Sequence, residues 1–569
     1  MKQISRREFI KTTAVGLGSL ATLDVLPRKV MAFEAADVLL LNGNIITKDA
    51  KDTIAQAVAI RNGRVLKVGS NQEVQSWSGN GTERIDLKGK TVTPGLVDSH
   101  LHIMGYGMQF RPLFLNIRFP LTPNKAALLN LVAERAKTTK PGEWIVGNQG
   151  FTLSVDQTPT RWELDEVAPQ NPVLLRHNSG QHSTANSMAL KLAGITAGTP
   201  NPYSGKIGRR AGSMEPNGLL FHYPAENLVN RVAPGISDRD LASLADDVER
   251  GQLRCLAAGY ASGHDVIVAP QKIGGYFAAA KENRLKMRIR LMEYVSHEKE
   301  LEQLLRNRDT SSNPMLENGG YKLAVDGGVA AKTALMYDAN LEASKSSYVY
   351  HDQATLNRMT RMIHAAGHQV AFHAVGDRAI DMAINAIEDA MQAKPRENHR
   401  HRIEHCLFPT EKALSRIKQL GIVVSVSPQW IRFHSDGYKA MTNESAMQRF
   451  LPLKTMLDMG IPVAFGCDVP ATILLEPRWA FIGAVGRTTH SGYSPNPAEC
   501  LTIKEALRMH TMGSAYAGFE EQAVGSLEEG KLADMVVWSH DLYAMPLPAM
   551  QSLAAERVMV GGKFVDTSR

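Results

Sequence analysis

Through the middle of the chain, short apolar runs alternate with amphipathic helical patterns. Apolar runs of strand length lie near residues 92–98, 260–268, 287–294, 321–326, 369–374, 401–405, 422–427 and 462–467. Helical spacing between them is clear in the run of Leu356, Met359, Met362, Ile363 and Ala366. Strands alternating with helices are typical of a parallel sheet, and eight such units close a barrel. We therefore predict an α/β fold, a (β/α)8 TIM-type barrel over residues 93–519.

The two ends of the chain have a different pattern, in which short strands are joined by tight turns. Asn62-Gly63 lies between apolar runs at 57–60 and 65–68, which is a strong hairpin signal. Near the C-terminus, residues 533–538 and 558–565 have the same strand-like composition. We predict that residues 33–92 and 520–569 form one small β-sandwich domain.

The interval from about residue 103 to 259 is too long for a single loop between a strand and a helix. It is predicted to be an insertion after the first barrel strand, with secondary structure of its own. Active sites of such barrels lie at the C-terminal ends of the strands. The insertion should therefore lie over that face and shape the substrate pocket.

Composition narrows the class of protein. The chain has 569 residues, of which 44% are hydrophobic and 21% charged, with only 4 cysteines. These values exclude collagen-like, disulfide-scaffold and wholly disordered proteins. The formal net charge of +7 by itself suggests an anionic partner, so its position along the chain matters.

Much of the positive charge lies in the first 32 residues. A basic start with the pair Arg6-Arg7 precedes an uncharged run from Thr12 to Leu23, and Val30-Met31-Ala32 provides small residues for cleavage. This pattern predicts a twin-arginine signal peptide over residues 1–32, recognised by the twin-arginine export machinery. The alternative is an amphipathic helix with a chance arginine pair. The segment has six basic and two acidic residues, so the mature chain has a net charge of +3.

The predicted location is therefore the periplasm or the outside of the cell. No later stretch approaches 18 uncharged apolar residues, which predicts no membrane association after processing. The chain also has no run of five basic residues and no G-x-G-x-x-G after a strand, so neither nucleic acid nor a dinucleotide is indicated. Association into a homo-oligomer stays open.

Candidate metal ligands stand at the ends of the predicted strands. His100 and His102 end the first run, and because strand side chains alternate, both imidazoles point to the same side and can hold one metal ion. On the fourth run, Lys322 and Asp326 share a face in the same way. They place an amine and a carboxylate in the barrel mouth, although a structural ion pair is an alternative explanation.

Three further strand ends carry candidate metal ligands. His373 ends the fifth run, His405 the sixth and Asp468 the eighth. A single histidine or aspartate at a strand end is more often a core or capping residue than a ligand. Four histidines and an aspartate at the ends of strands one, five, six and eight are an improbable coincidence, which favours a metal centre.

This set resembles the metal-dependent amidohydrolase superfamily, in particular the branch of amidohydrolase family 3 type that includes N-substituted formamide deformylase. The resemblance covers nearly all of the mature chain, including the segment Gly525 to Asp534, a signature of the family's composite small domain. It implies a hydrolase that cleaves a C–N bond of an amide, N-formyl compound or cyclic amide, acting on bonds other than peptide bonds. Water activated by a divalent metal ion, with Zn²⁺ expected, would be the nucleophile.

The same resemblance implies the ligand sets. His100, His102 and Asp468 would hold one ion, and His373 and His405 a second. In members with two metal ions, the lysine that corresponds to Lys322 is carboxylated and bridges the ions. If Lys322 is unmodified here, the site holds a single ion.

Asp468 is the predicted acid–base residue, since it lies both on the metal and beside the nucleophile. The His-x-x-x-Asn segment of the insertion matches the family pattern. Candidate substrate contacts are His182, Asn186, Trp144 and Asp326, with Phe151 and Trp430 as further aromatic candidates for the pocket wall.

One departure from the family pattern concerns the substrate. Many relatives have Gly-Leu/Val-Leu-Arg-Glu where this chain has Gly218-Leu219-Leu220-Phe221-His222. A glutamate is thus replaced by His222 near the cleft. His434 and His490 are further candidates to face the cleft, with solvated loop histidines as the default.

The sequence is also compatible with other functions. Deamination of a heterocycle or hydrolysis of an ester or lactone would use the same site, although the glutamate that deaminases carry soon after the strand-five histidine is absent after His373. A non-catalytic binding or regulatory protein in the periplasm would be expected to have lost a ligand, and none is lost.

Overall fold

The computed structural model describes residues 35–119, 121–203, 205–235, 240–268, 272–308, 310–472 and 474–568. The predicted signal peptide lies outside the described residues. The central sheet has eight strands, each parallel to the next. In chain order they are Leu96–Leu101, Tyr260–Val268, Arg288–Tyr294, Leu316–Ala324, Gln369–Ala374, Arg402–His405, Val423–Val426 and Val463–Phe465.

The predicted (β/α)8 barrel is confirmed, and its strand order follows the chain. The predicted start of the first strand, at residue 92, is wrong. Thr91–Pro94 pairs instead with Met535–Trp538 in another sheet, and the barrel strand begins at Leu96. Gly95 separates the two strands because a Cβ there would lie 2.4 Å from the Cβ of Ala261, which leaves no room for a side chain.

The first and last strands close the barrel at their C-terminal ends. The backbone N–H of Asp468 donates to the carbonyl of His100 at 2.7 Å, and the N–H of His102 donates to the carbonyl of Val469 at 2.9 Å. Gly466 permits this approach, since a Cβ there would lie 2.6 Å from the backbone nitrogen of His100. Closure thereby places Asp468 beside both histidines of the first strand.

Helices surround the barrel, and further helices pack on the sheet of the insertion. The apolar faces of the barrel helices pack on the strands in one large buried cluster, which includes Leu244, Val248 and Ile380. The longest, Leu241–Ala258, begins where the Asp240 side chain accepts from the N–H of Ser243 and ends at Gly259 with φ 108°. The α-helices are Asn71–Gln75, Ile103–Met108, Lys125–Thr138, Arg161–Val167, Ser187–Leu192, His222–Asn230, Leu241–Ala258, Ile273–Lys281, Glu298–Arg306, Gln353–Ala365, Asp377–Ala393, Glu411–Leu420, Gln429–Met441, Glu444–Gln448, Leu453–Asp458, Arg478–Gly486, Ile503–Arg508 and Ser514–Ala517.

Two further sheets involve the ends of the chain. The six-stranded sheet combines Asn44–Ile46, Ile54–Ala55, Thr91–Pro94, Met535–Trp538, Ala555–Val560 and Lys563–Phe564. The four-stranded sheet consists of Val38–Leu41, Ala57–Arg61, Arg64–Gly69 and Glu83–Asp86. Residues from both sheets, such as Leu40 and Val537, meet in one buried cluster. Strands from opposite ends of the sequence therefore share a core, while the exact domain boundaries stay a prediction.

The insertion has a sheet of its own, as predicted. Its strands are Ile145–Phe151, Val173–His177, His182–Ala185, Lys206–Arg209 and Pro216–Phe221. Helix His222–Asn230 follows the last of these strands directly. Within the described ranges, no helix has the length and apolar character needed to cross a membrane.

Candidate metal centre and active site

Three predicted ligands converge where the barrel closes. Candidate ligand atoms of His100, His102 and Asp468 all lie within 4.8 Å of one another. Asp468 Oδ1 is 3.1 Å from His102 Nε2 and 3.5 Å from His100 Nε2. His100 and Asp468 are buried, and His102 is partly exposed to the cleft. The alternation of side chains on one strand and the closing hydrogen bonds together produce this cluster.

His100 is oriented by a buried ion pair behind it. Its Nδ1 lies 2.6 Å from Glu404 Oε2, while Arg402 donates to Glu404 Oε1 at 2.8 Å. Burial lowers the pKa of His100 to about 4, so the ring is neutral near pH 7. Its Nε2 has no hydrogen-bond partner among the described residues. A neutral imidazole held through one nitrogen, with the other unpaired, has the form of a metal ligand.

His373 and His405 join the same cluster. The ring centroid of His405 lies 4.8 Å from that of His100 and 4.6 Å from that of His373. His405 Nδ1 is 4.0 Å from Asp468 Oδ2, and His373 Nε2 is 3.0 Å from the carbonyl of Gly327. The structure thus brings together all four histidines that the strand ends predict.

Lys322 completes the cluster from the fourth strand. Its side chain is fully buried, and its Nζ has no hydrogen-bond partner among the described residues. Burial lowers the pKa of this amine to about 8. Lys322, His102 and His373 line one cavity. A buried amine without a partner is costly, which favours a role for it at this centre.

The donor set fits a divalent metal ion. Imidazole nitrogens and a carboxylate oxygen are the ligands that Zn²⁺ prefers at catalytic sites. His100 Nε2, His102 Nδ1 and Lys322 Nζ are buried polar atoms without partners in the described part of the chain. Such orphaned atoms in one cluster are expected where an ion or a modification completes the site.

Two cavities meet at the candidate metal centre. The first, of about 200 Å³, extends along helix His222–Asn230, and we call it the helix-side cavity. The second, of about 350 Å³, extends along Trp430, Phe433 and Tyr438, and we call it the aromatic cavity. Residues that line both are His102, Asn178, Ser179, Gln181, His373 and Ala471. A substrate whose scissile bond lies at the centre can therefore extend in two directions.

The aromatic cavity contains several residues that the sequence only suggested. Trp430 stacks on His405 with ring centroids 5.1 Å apart and an interplanar angle of 10°. His434 and His490 both line this cavity. His434 is half-buried on helix Gln429–Met441, whereas His490 is an exposed loop histidine at the cavity's edge. Trp430 also donates from Nε1 to the Thr472 hydroxyl at 2.8 Å, which holds the indole ring against His405.

The prediction that Asp326 contacts substrate is not supported by its position. Its carboxylate accepts hydrogen bonds from the backbone N–H groups of Leu335, Val375 and Gly376, each at 2.9 Å. It lines neither cavity, and it does not pair with Lys322. Asp326 lies two residues beyond the end of the strand that carries Lys322, and its carboxylate accepts from the backbone of two neighbouring loops.

Three residues of the insertion are likewise structural. Asn186 caps helix Ser187–Leu192 by accepting from the N–H of Ala189, and it also accepts from Val173. His182 is fully buried and stacks on His177 with centroids 4.2 Å apart. Trp144 packs against a hydrophobic cluster. None of the three lines either cavity, so the structure gives no support to their assignment as substrate contacts.

Two further candidates, Phe151 and His222, lie outside both cavities. Phe151 is a fully buried core residue that lies edge-on to His177. His222, the departure from the family pattern, has φ 63° and lies 3.1 Å from both Gln181 Oε1 and the Tyr350 hydroxyl. His222 itself does not line the helix-side cavity, but it contacts Gln181 and Tyr350, which do.

Sequence reasoning missed residues that act behind or beside the ligands. Asp265 Oδ1 lies 3.9 Å from His102 Nδ1 and its other oxygen accepts from the N–H of Ile103. Glu404 was identifiable because it lies beside His405 and shares a strand face with Arg402. Glu226 carried no motif signal, and only its helix places it on a cavity.

Comparison with known proteins gives consistent results. The model of the amidohydrolase family matches residues 83–566. N-substituted formamide deformylase of Arthrobacter pascens is 28% identical over 535 residues, which cover 92% of this chain and 97% of that protein. Protein LONG AFTER FAR-RED 3 of Arabidopsis thaliana is 30% identical over 89% of this chain and 87% of its own length.

A solved structure supports the fold. An uncharacterized metal-dependent hydrolase from Pyrococcus horikoshii superposes with a TM-score of 0.70 at 24% identity, covering 90% of this chain and 99% of that one. At this identity the likeness concerns the fold alone. It extends over the barrel and most of the remaining chain.

Proposed function

Because this chain belongs to the amidohydrolase family, a family of metal-dependent hydrolases, we propose that it is an exported enzyme that hydrolyses the C–N bond of an amide, an N-formyl compound or a cyclic amide. The observation that carries the proposal is the convergence of His100, His102 and Asp468 around the unpaired Nε2 of His100. We propose Zn²⁺ as the ion, since imidazole and carboxylate donors suit it.

We propose the same metal ligands that the sequence predicts. His100, His102 and Asp468 would hold one ion, and His373 and His405 would hold a second. When bound, a divalent ion would lower the pKa of its water ligand to roughly 7 and polarise the substrate carbonyl. Lys322, whose amine is buried without a partner, is the proposed site of carboxylation when two ions are present.

Asp468 is proposed to move the proton. Although burial opposes ionisation, His100 and His102 keep the pKa of this carboxyl below its ordinary value, so it is ionised near pH 7. Its Oδ1 faces both histidines, so it can accept a proton from water and return it to the leaving nitrogen. Trp430, stacked on His405, would orient the substrate and exclude water.

The test is metal analysis combined with an assay panel. We expect full-length protein purified without chelator to hold one or two divalent ions per chain. It should hydrolyse a member of a panel of N-formyl amines, N-acyl amines, cyclic imides and esters, and lose that activity when a chelator removes the ion. Protein that holds no metal and hydrolyses nothing would contradict the proposal, and hydrolysis of esters alone would replace it with an esterase.

Two variants test the ligand and the proton carrier. His100→Ala should lose metal and activity together, since it removes a ligand. Asp468→Asn, which also replaces a ligand, is assayed at a metal content equal to that of wild type, and its kcat should then be about 10²- to 10⁴-fold lower, the range of a lost general acid–base. The control is Glu499→Gln, a buried glutamate that accepts from Thr455 and lies outside both cavities. A near-normal kcat for Asp468→Asn would remove Asp468 from proton transfer.

A further inference from the structure

Helix His222–Asn230 presents a polar face to the helix-side cavity. Tyr223, Glu226, Asn227 and Asn230 all line this cavity, and their spacing places them on one side of the helix. The same helix packs Ala225 and Val229 into a hydrophobic cluster of the insertion, as a helix that covers a protein interior ordinarily does. Its second, polar face toward the cavity is therefore not needed for packing.

Glu226 is the least satisfied residue on this face. Its side chain is 0% exposed, and neither carboxylate oxygen has a hydrogen-bond partner among the described residues. The nearest cation is Arg176, whose Nη2 lies 3.7 Å from Glu226 Oε2, beyond hydrogen-bonding distance. Arg176 instead donates from Nη1 to Asn148 at 2.7 Å. Burial raises the pKa of Glu226 to about 7, against the opposing effects of Arg176 and of the nearby Ser183 hydroxyl, whose Oγ has no hydrogen-bond partner of normal geometry among the described residues.

One helical turn further on, Asn230 adds a third acceptor. Its Oδ1 is buried and also has no partner in the described part of the chain. Leaving a buried polar atom unpaired is destabilising, and more so for a charged group. Three such acceptors on adjacent turns are expected where a ligand supplies the donors.

The cavity connects this face to the reaction centre. Its wall includes Glu226 and Asn230 together with His102, Lys322 and His373 of the metal cluster. A ligand group at Glu226 would therefore belong to the same molecule whose C–N bond lies at the metal centre.

We propose that Glu226 and Asn230 form a specificity subsite for a primary ammonium group of the substrate, placed away from the bond that is cleaved. An ammonium has three N–H donors and no acceptor, which matches three unpaired acceptor oxygens. Its charge complements the Glu226 carboxylate, and charge-assisted hydrogen bonds are the stronger kind. This inference rests on the proposed hydrolysis of amides and names the class of amide: one derived from a diamine or another amino-bearing compound.

The experiment compares matched substrates on full-length, metal-loaded protein. One series contains mono-N-formyl derivatives of α,ω-diaminoalkanes of increasing length. A second has a terminal methyl in place of the ammonium, and a third a terminal carboxylate, because Arg176 and Lys272 also line this cavity. We expect kcat/KM to favour the ammonium series at one chain length by about tenfold or more, through KM, as expected for binding away from the reacting bond.

The matched variants are Glu226→Gln, which keeps the size of the side chain, and Glu499→Gln as the buried control. Glu226→Gln should reduce the preference for ammonium to near unity, and Glu499→Gln should retain the wild-type ratio. Thermal melting checks that both variants fold. An equal ratio in wild type and Glu226→Gln, or a preference for the carboxylate series, would overturn the subsite.

A binding measurement keeps this test independent of turnover. Titration calorimetry with a primary n-alkylamine and with the n-alkanol of equal length should show tighter binding of the amine to wild type, and equal binding of both to Glu226→Gln. If no amide is hydrolysed but the amine still binds through Glu226, the proposed reaction fails and the subsite stands. If amides are hydrolysed and the amine binds no better than the alkanol, the subsite fails.

Discussion

At the scale of single residues, the centre depends on which nitrogen of each histidine is already occupied. Glu404 pairs with Nδ1 of His100 and leaves Nε2 free to bind a metal ion. Although burial opposes ionisation, Arg402 and Lys322 hold the pKa of Glu404 well below its ordinary value, so it stays an anion. A carboxylate behind an imidazole fixes the tautomer and makes the opposite nitrogen more basic. Glu404 is thus a positioning residue that acts through His100.

We expect Glu404→Gln to weaken metal binding about 10- to 100-fold, since a neutral amide no longer stabilises the oriented ring. Competition with a chromogenic chelator measures this affinity directly. Supplying excess metal should restore most of kcat, which distinguishes positioning from proton transfer. Glu499→Gln serves as the control, and unchanged metal affinity in Glu404→Gln would show that Glu404 supports only the fold.

At the scale of elements, the ends of neighbouring strands are linked by a buried polar side chain that lines neither cavity. Asp326 follows the fourth barrel strand and accepts from the N–H groups of Val375 and Gly376, which follow the fifth. It also holds the N–H of Leu335 in the intervening loop. One carboxylate thereby fixes the positions of the loops around His373.

Asp326→Ala should lower the free energy of unfolding by about 3 kcal/mol, because three buried N–H groups lose their acceptor at about 1 kcal/mol each. Asp326→Asn retains one acceptor oxygen and should lose less. Urea denaturation monitored by fluorescence measures both. Equal stability of Asp326→Ala and wild type, together with a large rise in KM, would return Asp326 to the role of a substrate contact.

At the scale of the whole molecule, the two ends of the chain meet. Thr91–Pro94, just before the barrel, pairs with Met535–Trp538, some 440 positions later in the sequence. The Arg288 side chain of the barrel contacts the Asp534 carboxylate at 2.7 Å, which joins this sheet to the barrel. Such an arrangement requires the complete chain to fold before it is stable. It suits a twin-arginine route, which exports folded proteins.

We propose export by that route from residues 1–32. Replacing Arg6 and Arg7 together by lysine should leave the precursor in the cytoplasm, because the machinery reads the arginine pair. Fractionation of cells with an immunoblot for precursor and mature forms measures this. The single replacement Lys11→Arg, which preserves charge outside the pair, is the control. Unchanged export of the double variant would indicate another route.

The sequence by itself determined the barrel, its eight strands and the four histidines with Asp468 at their ends. These features depend on local periodicity, since alternation along a strand decides which side chains face the centre. The approximate extent of the insertion was also readable, because it lies between two recognisable strands.

Only the tertiary structure decided what each polar group does. Asp326, His182 and Asn186 are of residue types common in binding sites. In the structure, Asp326 accepts from backbone N–H groups, His182 stacks on His177, and Asn186 caps a helix. Glu226 had no motif, yet its two oxygens are left unpaired on a cavity. Whether a polar atom is satisfied depends on partners distant in sequence, and for this protein folding, rather than residue type, separates structural groups from functional ones.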